Sequence, residues 1–326
     1  AKSVVNELIK MIKKENNMLF QFYAINTIAK ECLKKTKDKL ILGEQVYRSY
    51  ILSPDALVPS FFNLNPTMTF REQQDAHEAM VSILEQLHEK SKRPIKSNDR
   101  TLHGFLMENE VIYNYYDELA RTNEYSDIAD LFNMQSRMSR ICQSCGHRNE
   151  TIETCDHINL PLYGLQNVNI EKCFETLYGK EETLDGYRCD NCSNLSTTVQ
   201  SNRIIMLPDT LVICLKRFID ERTKDDTSIC FPLHSLNIVE YMDPELQNYI
   251  EPGTRYSLIS VVNHMGVLQG GHYNAICRKK FTGNPTKIDS VTDSWFLLDD
   301  SNVSEVSSQS IKSDLAYILI YRRVTT

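Results

Sequence analysis

Cys142-Gln143-Ser144-Cys145-Gly146 is answered by Cys189-Asp190-Asn191-Cys192, two C-x-x-C pairs separated by the 43 residues 146–188. Each pair forms a tight knuckle that presents two thiolates to one ion, and two knuckles complete a tetrahedral four-cysteine zinc site. Gly146 follows the first pair, where such a turn wants a residue at ease with φ > 0. The gap is far longer than in a compact zinc ribbon. The segment between must therefore fold out and return, with the metal pinning its tip. Four thiolates leave no open coordination position, so a zinc held here is structural rather than catalytic. The competing reading is two unrelated pairs of buried or redox-active thiols.

On either side of this segment the hydrophobic pattern differs. After about residue 136, segments 150–162, 196–207, 210–218, 255–263, 272–279, 295–303 and 316–322 are rich in β-branched and aromatic residues and read as strands. One helix, near 169–178, interrupts them, and 220–228 and 281–294 read as polar loops. The first third reads as helical: Val4, Val5, Leu8, Ile9 and Ile12 recur at helical spacing, as do Leu19, Phe22, Tyr23, Ile25, Ile28, Ala29 and Cys32. Pro54, Pro59 and Pro66 break the pattern. Thr69-Phe70-Arg71-Glu72 then offers a capping box for a helix that buries Ala76, Met80, Ile83, Leu84 and Leu87, with Gln73-Gln74-Asp75 as its polar first turn. The fold class is α+β, a helical lobe followed by a mostly antiparallel β lobe.

Composition narrows the function. The 326 residues are 41% hydrophobic and 24% charged, a globular balance, with a net charge of −7. Nine lysines against four acids in residues 1–40 leave the remainder more acidic than the whole. That argues against a nucleic-acid backbone as partner and suits a neutral or basic one. No apolar run approaches the ~18 residues that span a bilayer, so no membrane partner is expected. The start, Ala1-Lys2-Ser3, lacks Met, which suggests a fragment, and carries no signal-peptide pattern. Ten cysteines, four of them in C-x-x-C pairs, point to metal in a reducing compartment, cytoplasm or nucleus, rather than to disulfides.

A second constellation lies near the C-terminus. Tyr256 to His264 reads as a strand, Met265 to Gly271 as a loop, and His272-Tyr273-Asn274-Ala275-Ile276-Cys277-Arg278 as the return strand. His272 follows Gly270-Gly271, where backbone or substrate can come close. Trp295-Phe296-Leu297-Leu298 then runs into Asp299-Asp300. A His beside an Asp on neighbouring strands is the base-and-orienter half of a nucleophilic triad, and is equally an ordinary structural hydrogen bond.

Taken together these segments resemble a ubiquitin-specific protease (USP, peptidase C19) domain, a relative of the papain-like cysteine proteases. Four stretches carry the resemblance in order: Arg71 to Glu78, the two C-x-x-C pairs, Leu211 to Phe218 ending Leu215-Lys216-Arg217-Phe218, and the His box with Trp295 to Val303. The Pro-rich approach to Arg71 is similar to the fat-facets branch. The resemblance implies a single domain over 1–326 with a helical thumb (1–135), zinc-tipped β fingers (136–215) and an antiparallel β palm (216–326). It implies ubiquitin in the fingers and its C-terminal tail between thumb and palm. His272 would be the general base, Asp299 its orienter and Asp300 a polar group near the oxyanion. Asp75 would accept basic residues of the tail and Tyr273 would line its channel. For Asp75 the plain alternative is a carboxylate in a helix first turn, and Ala79 stands where the family usually has an aromatic.

One motif is missing. The family places its nucleophilic Cys at a helix start in a pattern like N-x-G-x-T-C-Y, where the helix terminus stabilises the thiolate. The matching stretch is Lys14-Glu15-Asn16-Asn17-Met18-Leu19-Phe20, which puts Leu19 at the nucleophile position and Lys14 at that of the oxyanion-donating Asn. Ala1 to Glu31 contains no Cys in any register. Cys32 lies 13 residues beyond Leu19, about 20 Å along a helix, against the ~3 Å a nucleophile needs from its base. The expectation is a catalytically inactive USP-like domain that binds ubiquitin or a ubiquitinated protein, or serves as a scaffold in a larger complex. The alternative is an active thiol-dependent deubiquitinase that hydrolyses the isopeptide bond at the ubiquitin C-terminus.

Overall fold

The structure, a computed structural model, describes residues 58, 62, 68, 72–95, 110–162, 168–220, 223–267, 270–278, 294–311 and 314–325. The chain divides into two compact units, Ala1–Ser91 and Lys92–Thr326.

In the first unit, helix α1 runs Ala76–Ser91. Oδ1 of Asp75 accepts from the backbone N–H of His77 at 2.6 Å and of Glu78 at 3.2 Å, so Asp75 caps the helix. The helix therefore starts several residues later than the Thr69 capping box led one to expect; Thr69 to Arg71 lie outside the described residues. Gln73 and Gln74 precede the helix instead of forming its first turn, because a carboxylate that satisfies two free N–H groups fixes the start at Ala76. Leu84 is buried, and Ala76, Met80, Ile83 and Leu87 are half-buried, which is the expected stripe.

The second unit opens with α2 (Glu110–Thr122) and α3 (Asp127–Phe132), the latter capped by Ser126. Strands β1 (Met134–Cys142), β2 (Arg148–Cys155), β4 (Glu181–Arg188) and β5 (Leu195–Met206) form a four-stranded antiparallel sheet in the order β2-β1-β5-β4. The second sheet has seven strands, ordered β10-β9-β8-β7-β11-β6-β3. Its members are β3 (Ile158–Pro161), β6 (Thr210–Lys216), β7 (Thr254–Val267), β8 (Gly270–Arg278), β9 (Trp295–Asp299), β10 (Asn302–Val306) and β11 (Ala316–Thr325). Only the β3–β6 pair is parallel. The helix expected at 169–178 is present as α4 (Ile170–Phe174), capped by Asn169, continued by a π-turn at Glu175–Gly179. Among the described residues no helix is long and apolar enough to cross a membrane.

The main core lies on the seven-stranded sheet. Leu160, Ile213, Leu258, Val261, Trp295, Leu319 and Tyr321 are fully buried beneath Phe174, Phe231 and Leu236. The Phe174 ring stacks on Tyr241 at 5.7 Å. Cys173 is buried in this core and Cys214 is also buried, whereas Cys230 is exposed. Its backbone bridges Val168 and Ile170 while its neighbours Ile229 and Phe231 take the inward positions.

Arg217 is completely buried. Its Nε donates to the Ala316 carbonyl at 2.6 Å, and Nη1 donates to the carbonyls of Asp225 and Thr227, both at 2.9 Å. Desolvation pulls its pKa down, with Asp225, Asp226 and Asp314 opposing. Lys224, also buried, donates from Nζ to the His264 carbonyl at 2.8 Å. Residues 223–228 form the polar loop their composition suggests, with Thr223, Asp226 and Ser228 exposed, and the loop is strapped to β7 and β11 by two buried cations.

Arg217→Ala would strand one buried and two half-buried carbonyls, and should destabilise the protein by roughly 3–5 kcal/mol. A urea midpoint that falls accordingly is the expected result; an unchanged midpoint would contradict the strap.

Candidate functional site

The tip of the four-stranded sheet carries the four C-x-x-C thiols. Sγ of Cys142 lies 4.0 Å from Sγ of Cys192, and Sγ of Cys145 lies 3.7 Å from Sγ of Cys189. All four lie within 4.8 Å of one another. A disulfide needs ~2.05 Å, whereas a tetrahedron with zinc–sulfur bonds of about 2.3 Å has edges near 3.8 Å. The spacing and the all-sulfur donor set fit zinc.

The two knuckles are near copies. Gly146 N–H donates to the Cys142 carbonyl at 2.9 Å with φ +71°, and Ser193 N–H donates to the Cys189 carbonyl at 2.8 Å with φ +59°. The second left-handed position is filled by a serine, which is why only the first was readable as a turn glycine. Cys142 and Cys189 are buried, Cys192 is half-buried and Cys145 is exposed. The Ser196 hydroxyl, 3.0 Å from Sγ of Cys142, holds that thiol down to about 6, with help from the N–H groups of Cys145 and Ser144.

The second cluster is built on three neighbouring strands. β7 and β8 pair out to Gly266↔Gly271 and Val267↔Gly270, so the loop expected over Met265 to Gly271 is a much tighter hairpin. Glycine makes this possible: Gly266 has φ +97°, and a Cβ on Gly271 would lie 2.2 Å from Nε2 of His264 and 2.5 Å from the Met265 carbonyl. The buried His264 ring instead packs 4.6 Å from Tyr273 and 5.3 Å from Phe218. Tyr273 is half-buried and also faces Tyr317.

Strand alternation turns His272 to the opposite face from Tyr273. Its Nε2 lies 2.5 Å from Oδ1 of Asp299 on β9. The pair is partly open to solvent, with side chains 44% and 37% exposed. The Asp299 hydrogen bond raises the His272 pKa above 6.5 against desolvation, and the charges of Asp299 and Asp300 add to the rise. Asp300 begins the two-residue turn from β9 to β10, with φ +50°, a conformation Asp tolerates. Its carboxylate lies within 4.8 Å of both partners.

The structure therefore brings His272, Asp299 and Asp300 together, and the four cysteines together. Among the described residues the His272 imidazole has no thiol partner. Cys277, on the same strand, bonds the Ser260 hydroxyl at 3.2 Å. Asp75 caps α1 in the other unit, and Leu19 with its flanking motif lies outside the described residues. Sequence reasoning missed Ser193 and Ser196, whose spacing after Cys189 and Cys192 carries no metal-site signature of its own.

The family model described as "Ubiquitin carboxyl-terminal hydrolase" matches residues 4–321. The chain belongs to this family. Within it, the chain is 30% identical over 282 residues to ubiquitin carboxyl-terminal hydrolase 2 of Bos taurus, covering 83% of this chain and 44% of that protein. It is 28% identical over 286 residues to ubiquitin carboxyl-terminal hydrolase 21 of Mus musculus, covering 79% and 47%. The chain thus spans about half the length of the curated relatives it matches. Among solved structures, the SAGA Ubp8/Sgf11/Sus1/Sgf73 DUB module bound to ubiquitin aldehyde matches with a TM-score of 0.61 at 25% identity, over 83% of this chain and 54% of that one. The same module bound to monoubiquitin matches with a TM-score of 0.61 at 24% identity, over 83% and 53%.

The raised His272 pKa sets the sign of a pH effect. The His272–Asp299 pair contributes stability that is complete below the ordinary pKa of 6.5 and is lost as pH rises through the raised value. In Asp299→Ala the imidazole midpoint, followed by NMR, should fall back toward 6.5; a midpoint that stays put would contradict the assigned partner.

Proposed function

We propose that this chain is a catalytically inactive USP-family domain that binds ubiquitin or a ubiquitinated protein, alone or within a larger assembly. The observation that carries this reading is the absence of any Cys from Ala1 to Glu31, with Leu19 in the nucleophile position of the family motif. Leucine has no proton to surrender and no lone pair with which to attack a carbonyl, so no acyl-enzyme forms. Lys14 replaces the oxyanion donor and Asn16 the motif glycine, a pattern of decay across the motif rather than one inactivating change. The remaining half of the machinery is the base and its orienter. Asp299 occupies Nε2 of His272 and leaves Nδ1 to take a proton that, among the described residues, no thiol bonded to it supplies.

Ubiquitin as partner is supported by family membership and by the ubiquitin-bound state of the similar DUB modules. In this reading the chain forms a thumb (1–135), fingers (136–215) and palm (216–326), and one structural zinc ion on Cys142, Cys145, Cys189 and Cys192 pins the fingertip. Asp75 accepts basic residues of the ubiquitin tail, and Tyr273 lines the tail channel. Asp300 is a vestigial neighbour of the oxyanion position. The domain works in a reducing compartment, cytoplasm or nucleus. Assignment to the fat-facets branch rests on the Pro-rich approach to Arg71 alone.

The intact His272–Asp299 pair favours a second reading, an active thiol deubiquitinase whose sulfur comes from elsewhere. A fluorogenic ubiquitin substrate separates the two. The expected result is no turnover, with mono-ubiquitin still bound and Asp75→Ala weakening that binding by about tenfold. Steady turnover abolished by His272→Ala would establish the second reading. No detectable binding at high micromolar ubiquitin would leave a scaffold that has lost ubiquitin as well.

A further inference from the structure

Resting on the zinc reading above, we propose that Ser196 is a built-in hydrogen-bond donor to the Cys142 thiolate, setting how tightly the fingertip holds its metal. A divalent ion among four thiolates leaves a net charge of about −2. That charge sits at a tip whose sulfurs differ in their access to water. Cys145 is exposed and is hydrated directly. Cys142 is only 3% exposed, so protein groups must supply its donors.

Ser196 is placed to do this. The register Cys142↔Thr198 between β1 and β5 puts Ser196 two residues nearer the tip, on the same face as Thr198. Its side chain belongs to the inward set of β5, with the residue 8% exposed, and its hydroxyl lies 3.0 Å from Sγ of Cys142. Once Cys142 is a metal thiolate it carries no proton, so the direction of the bond is fixed and the serine O–H donates. Asn191, inside the second knuckle, approaches Cys145 with Nδ2 at 3.8 Å, a longer contact at an exposed sulfur. The two donors are thus unequal. The short, buried one is Ser196, and it joins the strand that follows the second knuckle to a ligand of the first. The contact closes the metal cage from the side away from solvent.

The test uses the whole chain loaded with zinc, and in parallel with cobalt(II), whose sulfur-to-metal charge-transfer band reports on the thiolates. Ser196→Ala should keep one metal per chain but lose about tenfold in zinc affinity by chelator competition. Its cobalt charge-transfer band should move to lower energy, because a thiolate without its donor gives up electrons more readily. Ser196→Thr keeps a hydroxyl and should restore both. A Ser196→Ala protein matching the wild type in affinity and in band position would overturn the proposal while leaving the zinc reading intact. A wild-type protein that takes up no zinc or cobalt would overturn both together.

Discussion

The far end of the four-stranded sheet carries four sulfur atoms placed to share one ion, and has little else there to hold it. Both edge strands, β2 and β4, are mostly exposed along their length. The buried residues near the tip are Ser139, Ser196, Thr198, Cys142 and Cys189, not a set of large apolar side chains. A sheet tip with exposed edge strands and small polar residues inside gains little from the hydrophobic effect, and ladder hydrogen bonds contribute only modestly once water competes for them. One ion shared by the two knuckles would join the end of β1 to the start of β5 and supply what packing does not, tying the order of the tip to metal binding.

The seven-stranded sheet obeys the opposite logic. Its central strands are sealed by Leu258, Val261, Trp295, Leu319 and Tyr321, and its covering segment is strapped down by Arg217 and Lys224. The His272–Asp299 bond sits at the rim of this sheet, half in solvent. The strands that carry it do not need it to pair. A base and orienter can therefore outlast the nucleophile they served, since nothing in the fold is lost by keeping them. Survival of the pair is therefore compatible with the reading of this chain as an inactive family member, which rests on Leu19 and the absence of Cys from Ala1 to Glu31.

The parts of this architecture with strong local chemistry were legible in the residues. The paired C-x-x-C knuckles, the α+β division, the helix near 170 and the meeting of His272 with Asp299 all followed from spacing and strand pattern. Strands β1 and β4 were not legible. Met134–Cys142 and Glu181–Arg188 are largely polar and lack the apolar alternation of a half-buried strand: β4 is mostly exposed, and the buried positions of β1 include Gln135, Ser136 and Ser139. The start of α1 was misjudged because Asp75 is a stronger cap than the Thr69 box suggested. The β7–β8 loop was drawn too long because pairing of Gly266 with Gly271 depends on a close approach to His264 that no sequence periodicity records. Ser193 and Ser196 escaped notice because their roles, a left-handed turn and a sulfur contact, arise only once the knuckles fold.

The central claim is that no thiol of this chain can attack the ubiquitin C-terminus. Incubation with ubiquitin bearing a C-terminal electrophile, followed by intact-mass measurement, tests it most directly. The account predicts an unmodified chain after prolonged exposure to excess probe. A single ubiquitin adduct on a cysteine, lost in His272→Ala, would contradict it.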